Sequence, residues 1–284
     1  MTQKEKAEQF FQLHHDEKML VLPNIWDPLG ALMLQDLGYK GIATASAAIA
    51  YSNGYNDGEH IPFDHVIDLL TRIANAVDVP VTADIESGYA TDEQELSENI
   101  KRLIATGIAG INIEDYCKQT STFYSVATQC LRIKAIRKAA AEMGTPLFIN
   151  ARTDVLLQGD KFPTAESKLA EIIARGEAYK DAGADCFFPI VMKNQSEIKE
   201  VVAKLKMPVN ILAIPGIPAL KTLHEIGVAR VSLGPSFLKT ALQAMKQLAI
   251  QLKELNGLDS ITQNEISSDY LKELVNKSNS IKKE

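Results

Sequence analysis

The sequence predicts an α/β protein of the (β/α)8 barrel class, and three observations carry that reading. Eight short apolar runs recur along the chain, each followed by a stretch of helical periodicity. The runs lack apolar/polar alternation, as expected of parallel strands covered on both faces. Eight strand–helix units over about 240 residues match a barrel in size and order.

In order the runs are MLVLP (19–23), GIATA (41–45), PVTAD (80–84), AGINI (109–113), PLFINA (146–151), DCFFPI (185–190), PVNILA (208–213) and RVSL (230–233). The even-numbered ones follow Gly38, Gly107, Gly183 and Gly227, each closing a helix-like stretch. Helices commonly end in a left-handed residue that glycine adopts cheaply. The third, fifth and seventh begin at Pro80, Pro146 and Pro208, where proline forfeits no ladder hydrogen bond. This alternation suggests a repeated two-unit module. Between the strands, 61–77 carries Val66, Leu69, Leu70, Ile73 and Val77 as one helical stripe. The stretch 164–182 opens with residues that suit a helix start. The rival, a doubly wound open sheet, gains nothing: no GxGxxG turn follows the first strand.

The ends fall outside the repeat. Residues 2–15 read as an extra helix capping one barrel mouth, and 235–255 as the eighth helix. Asn256 and Gly257 then break the chain, a weak helix is expected near 266–275, and KSNSIKKE (277–284) is expected to be disordered. The organisation expected is one barrel domain, 1–255, and a helical or disordered extension, 256–284.

Composition narrows the function. The chain has 284 residues, 30 Lys+Arg against 36 Asp+Glu and a formal charge of −6, so nothing advertises a nucleic-acid partner. Three scattered cysteines, Cys117, Cys130 and Cys186, exclude a disulfide framework and point to a reducing compartment. The opening MTQKEKAEQFFQLHH has no apolar stretch fit for a signal peptide, and no run spans a membrane. A soluble cytoplasmic protein is expected.

Barrel chemistry gathers at the carboxyl ends of the strands. There the third strand offers Asp84 and Glu86, the fourth Glu114 and Asp115, and the fifth Arg152 flanked by Asn150 and Asp154. The loop after the second strand adds Asp57 and Glu59. Clustered carboxylates favour a bound dication, and oxygen ligands without histidine favour Mg²⁺ or Mn²⁺. The five histidines show no metal-ligand spacing. The structural alternative makes Asp84 and Glu114 helix N-caps, or Arg152 their neutralising partner. Ser46 closes the second strand among small residues, where backbone amides can approach a carboxylate or oxyanion. Ser232–Leu233–Gly234–Pro235 stands where many barrels bind phosphate, although Pro235 removes a donor.

These residues resemble the isocitrate lyase/phosphoenolpyruvate mutase superfamily, especially its short members, over about 20–244. The carriers are LPNIWDPLGA (22–31), Ser46, GYNDGE (54–59), VTADIESGYA (81–90), GINIED (110–115) and INARTD (149–154). The resemblance implies a barrel whose eighth helix is swapped with a neighbouring subunit, in a tetramer built as a dimer of dimers. It implies one Mg²⁺ held by Asp84, Glu86 and Glu114, with Asp57 acting through water. Arg152 would bind a substrate carboxylate, and Ser46 with the amides of Ala47 and Ala48 would receive the 2-oxo acid. Ser46, Asp57 and Arg152 are thereby the candidate catalytic residues. The implied activity is a Mg²⁺-dependent lyase breaking a C–C bond of a small 2-hydroxy or 2-oxo dicarboxylic acid through an enolate. The alternatives are a P–C mutase or hydrolase of phosphonopyruvate type, or a barrel that binds Mg²⁺ and an oxo-acid without turnover. The loop EDYCKQTSTFYS (114–125) departs from both understood branches. Cys117 comes too early for the lyases' acid cysteine, and Thr120 and Thr122 replace the mutase's lysine and asparagine. Ile190 stands where longer lyases place a glutamate. Lys118, Thr120 and Tyr124 remain as lid groups.

Overall fold

Eight parallel strands form a closed ring, in chain order, in the computed structural model, which describes residues 1–159 and 161–281. Strand β1 has two segments, Leu20–Leu22 and Asn24–Ile25. Next come β2 (Ile42–Thr44), β3 (Val81–Asp84), β4 (Gly110–Glu114) and β5 (Phe148–Thr153). The last three are β6 (Cys186–Pro189), β7 (Asn210–Leu212) and β8 (Arg230–Ser232). The second segment of β1 starts a six-stranded run through β6, and its first segment pairs with β8, Leu20 opposite Arg230. A single bridge, Phe187 to Val209, joins β6 to β7, and β7 pairs with β8. Every predicted strand is present, and the fold is the predicted (β/α)8 barrel.

The local rules anticipated from the sequence operate. Gly38, Gly107, Gly183 and Gly227 all take positive φ, between 83° and 110°. Thr164 and Ser167 form a reciprocal capping box at the start of the helix Ala165–Ala182. The helix Phe63–Ala74 buries Val66, Leu70 and Ile73 against the strands, each worth roughly 1.5–3 kcal/mol.

The helix Gln3–Leu13 plugs the mouth at the strand starts, as expected. Phe10 is fully buried and meets Phe148 edge-on at 5.1 Å, within a cluster containing Ala7, Leu22, Ala109 and Cys186. His14, just past this helix, stacks on Phe148 at 4.1 Å, with Nδ1 2.8 Å from the Phe10 carbonyl oxygen. Burial holds its pKa down to about 3, with Arg230 adding to the effect.

The far end departs from expectation. The helix Ser236–Lys253 buries only Leu238, while Leu242, Met245, Ile250 and Leu252 face solvent. After a short helix, Leu258–Thr262, the final helix Ser268–Ile281 returns to the barrel. It docks on the helix Pro28–Asp36 through Leu274 and through Tyr270 and Lys277, both bonded to Asp36. The expected weak helix is therefore longer, and the disorder expected from residue 277 gives way to helix as far as Ile281. Residues 282–284 of that expectation lie outside the described residues. Tertiary docking overrides weak local propensity here. No helix among the described residues is long and apolar enough to cross a membrane.

Three small elements were not anticipated. A helix, Ser46–Ser52, follows β2 directly, and a 3-10 turn, Val155–Leu157, follows β5. The loop after β4 is an antiparallel hairpin in which Tyr116–Cys117 pairs with Thr122–Phe123.

Candidate active site

Strand register sets the acids side by side. Asp84 ends β3 opposite Asn112, and Glu114 ends β4 opposite Arg152. The chain then bends tightly after β3: Glu86 and Tyr89 take left-handed φ of 52° and 53°, and Glu59 of the facing loop takes 62°. Such conformations cost about 1–3 kcal/mol each and persist where the surroundings fix them. Glu59 is one such fixture. Its carboxylate accepts hydrogen bonds from Ser87 Oγ (2.7 Å) and Tyr89 N–H (2.9 Å), and its own N–H donates to Glu86 Oε1 (2.9 Å).

Three of the predicted metal ligands surround one ammonium. Lys118 Nζ, on the hairpin, lies 2.7 Å from Asp57 Oδ2, 3.3 Å from Glu86 Oε2 and 3.9 Å from Glu114 Oε1. Asp84 instead faces β2, accepting from Ser46 Oγ at 2.9 Å and Ser46 N–H at 3.4 Å. Its Oδ1 lies 3.5 Å from the Glu86 N–H, so it stays beside the others. Arg152 reaches Glu114 Oε2 with Nη1 at 2.6 Å and clasps Asp154 through Nε (2.7 Å) and Nη2 (2.9 Å).

Electrostatics here are out of balance. Among the described residues, Asp57, Asp84, Glu86, Glu114 and Asp154 gather around two paired cations, Lys118 and Arg152, with Lys239 further along the cavity lining. Burial pushes Glu86 up to about 7, with Lys118 opposing it and Asp57 reinforcing it. Burial also raises Glu114 well above the carboxylate range, against the pull of Arg152. For Lys118, burial works downward, but Glu114, Glu86 and Asp57 outweigh it and raise the ammonium.

The sequence left two structural readings open for these acids. Neither Asp84 nor Glu114 is a helix N-cap; Asp92 and Ser125 cap the helices Glu93–Ala105 and Val126–Glu142 that follow. Arg152 does neutralise Glu114 in part, but neither Glu114 oxygen makes a hydrogen bond of good geometry, and Asp57 Oδ1 makes none. Among the described residues, no three acidic, histidine or cysteine side chains stand preassembled as metal ligands; Lys118 sits among the rim acids. Buried acceptors without donors are nevertheless costly, and a hard dication satisfies an all-oxygen set of this kind. The residues fit Mg²⁺ or Mn²⁺ on that ground.

A cavity of about 360 Å³ opens over the rim. Its lining includes Ser46, Ala47, Asp57, Asp84, Lys118, Arg152 and Lys239, together with the apolar Leu157, Phe188, Ile190 and Leu212. Glu86 and Glu114 lie behind it, only 2% and 1% exposed. Ala48, expected at the pocket, is instead fully buried among Ala45 and Leu238 and does not line the cavity. A larger concavity, about 600 Å³, lies at the opposite mouth around His14 and His224 and holds none of the rim acids. The β8 exit is not a ready phosphate cradle: the N–H groups of Leu233 and Gly234 both donate to Asn24 Oδ1.

Sequence reasoning missed the engagement of Lys118 with the acids, the framework role of Glu59 and the tie made by Asn24. Asp154 carried a signal, since residues two apart on a strand share a face and so place it beside Arg152.

Comparison with known proteins identifies the family. The family model for phosphoenolpyruvate phosphomutase matches residues 10–253. An uncharacterized protein of Mycobacterium tuberculosis is 33% identical over 79% of this chain and 81% of its own. The 2-methylisocitrate lyase of Bacillus subtilis is 24% identical, covering 89% of this chain and 83% of its own. Oxaloacetate decarboxylase 2 of Pseudomonas fluorescens is 26% identical, covering 83% and 79%. Among solved structures, a candidate phosphonomutase from Burkholderia cenocepacia superposes with TM-score 0.81 at 37% identity, covering 89% of this chain and 99% of its own. A phosphonopyruvate hydrolase complexed with oxalate and Mg²⁺ shares the fold, with TM-score 0.83 at 21% identity over 99% and 97% of the two chains. The chain belongs to the phosphoenolpyruvate phosphomutase family, within the isocitrate lyase/phosphoenolpyruvate mutase superfamily of carbon–carbon lyases and mutases.

Proposed function

We propose that this protein is a Mg²⁺-dependent lyase that breaks a C–C bond of a small 2-hydroxy or 2-oxo dicarboxylic acid. The observation that carries the reading is the excess of carboxylates over cations at the rim, with Glu114 buried against a single close cation, Arg152, beside a small cavity. Asp84, Glu86 and Glu114 would hold the cation, with Asp57 acting through water. A bound divalent cation supplies Lewis-acid stabilisation of negative charge developing on the substrate oxygen.

The side chains of this protein do the rest. Arg152, held by Asp154 and Glu114, lines the cavity as its cation for a substrate carboxylate, which would share the guanidinium with Glu114. Ser46 fixes the orientation of Asp84 and, with the backbone at Ala47, forms the wall where the 2-oxo group would sit. Leu157, Phe188, Ile190 and Leu212 form an apolar wall suited to an alkyl group on the carbon that leaves. We further propose that the helix Ser236–Lys253 packs its exposed Leu242, Met245 and Ile250 against a neighbouring copy, as an exchanged helix in a dimer of dimers. The free cysteines accord with action in the cytoplasm.

A second reading, a P–C mutase or hydrolase, is favoured by the 37% identity to the candidate phosphonomutase. Proton and phosphorus NMR of parallel incubations with Mg²⁺ separate the two. Oxaloacetate, alkylmalates and methylisocitrate-type acids form one arm and phosphonopyruvate the other. Cleavage of a carbon acid with phosphonopyruvate untouched is expected; turnover of phosphonopyruvate alone would overturn the lyase reading.

A further inference from the structure

Lys118 is built into the acid cluster rather than draped over it. Its stem passes against Gly58, where a Cβ would come within 3.1 Å of Lys118 Cβ. Gly58 also holds φ at 112°, which other residues rarely adopt. The next hairpin residue clasps the same turn: Gln119 Nε2 donates to the Glu59 carbonyl at 2.7 Å. The ammonium thereby meets acids from two loops and one strand end, and two of its three partners are almost wholly buried.

The hairpin is held on both sides of an exposed tip: by Lys118 and Gln119 on the acid side, and by two arginines on the other. Arg175 packs under the Phe123 ring at 4.1 Å, its Nη1 donates to the Tyr124 carbonyl at 3.0 Å, and Arg132 lies over the Tyr124 ring. Between those anchors and Lys118, the tip residues Gln119–Ser121 are exposed. A single ammonium offers one positive charge where at least three carboxylates meet, so a dication competes for the same oxygens with twice the charge.

We infer that Lys118 is a tethered counter-cation, exchanged for the divalent ion when the rim is loaded, so that cation binding and displacement of the hairpin 116–123 are one event. This rests on the reading of the rim as a cation site. Lys118 acts through the acids and is a positioning residue. It holds the carboxylates together in the cation-free protein and sets the affinity for the ion that replaces it.

The test is calorimetric titration of Mg²⁺ and of Mn²⁺ into the cation-free full-length protein and its Lys118→Met and Lys118→Arg variants, with Asp84→Ala as control. Lys118→Met, which keeps the length and removes the charge, is expected to bind either ion about tenfold tighter or more. It should also melt earlier than the wild type without the ion and recover when the ion is added. Lys118→Arg should stay near the wild type. Alkylation of Cys117, buried beside Lys118, should accelerate on ion binding in the wild type, with Cys117→Ser as the blank. Equal or weaker affinity in Lys118→Met, or no change in Cys117 reactivity, would overturn the exchange and leave the cation site standing. Absence of ion binding in every protein would instead overturn the cation site and the exchange with it.

Discussion

The two mouths of the barrel bury polar groups in opposite ways. At the lower mouth, the helix Gln3–Leu13 seals the strand starts with Phe10 on Phe148, and burial keeps His14 neutral. Arg230, at the start of β8, is buried there with no hydrogen bond from any guanidinium nitrogen among the described residues, and burial lowers its pKa to about 10. At the upper mouth, carboxylates are buried beside cations that do not match them in number, and the cavity admits a ligand. The difference teaches where unsatisfied charge serves function. Below, the charge of Arg230 is fully buried; above, the acids stand at a cavity and invite a cation.

The sharpest way to break this contrast is Asp84→Ala. Loss of Mg²⁺ binding by calorimetry and a fall in turnover of about 10³-fold are expected, while the far-ultraviolet circular dichroism stays native. Unchanged Mg²⁺ affinity would remove the upper mouth's proposed role. The lower mouth should answer to acid instead. His14 titrates near 6.5 when unfolded and near 3 when folded, so the unfolded chain takes up the proton first as pH falls. Its contribution is complete above about 6.5 and is lost between there and 3, up to about 5 kcal/mol. Urea unfolding at pH 7 and pH 4 should show a smaller acid loss in His14→Asn, which keeps a donor for the Phe10 carbonyl. An equal loss would show that His14 does not sense acid.

Next in size, Phe10→Ala should cost about 3–5 kcal/mol in chemical unfolding, without altering cation affinity. A shift in Mg²⁺ affinity would mean that the two mouths are coupled. The smallest effect is expected from Arg152→Lys, which keeps the charge beside Glu114 and loses the planar clasp on Asp154. Substrate KM should rise about 10-fold; unchanged kinetics would remove Arg152 from substrate binding.

Much of this contrast was legible in the sequence. Apolar runs and glycine or proline at strand entries located all eight strands, because those signals report local backbone needs and two-sided burial. Asp84, Glu114 and Arg152 were legible as neighbours because parallel strands in chain order bring their carboxyl ends together. What was not legible depends on approach through space. The meeting of Lys118 with Asp57 spans 61 positions, and nothing local in EDYCKQTSTFYS marks its lysine as an acid partner. The long C-terminal helix was underestimated because its order comes from docking on Asp36, a contact invisible to a window of ten residues. The resemblance assigns the Ala48 amide to the pocket, whereas its side chain, two positions into the helix Ser46–Ser52, packs inward.

Asn24 carries a consequence for how the molecule is made. Its amide accepts from Leu233 and Gly234, more than two hundred positions away, and donates to the Thr44 carbonyl. The ring therefore cannot shut during synthesis until β8 has emerged, long after β3 and β4 have brought their acids out. Until that moment a nascent chain carries an open sheet with two unpaired edges, the interval when chaperone capture or misassociation is most to be expected.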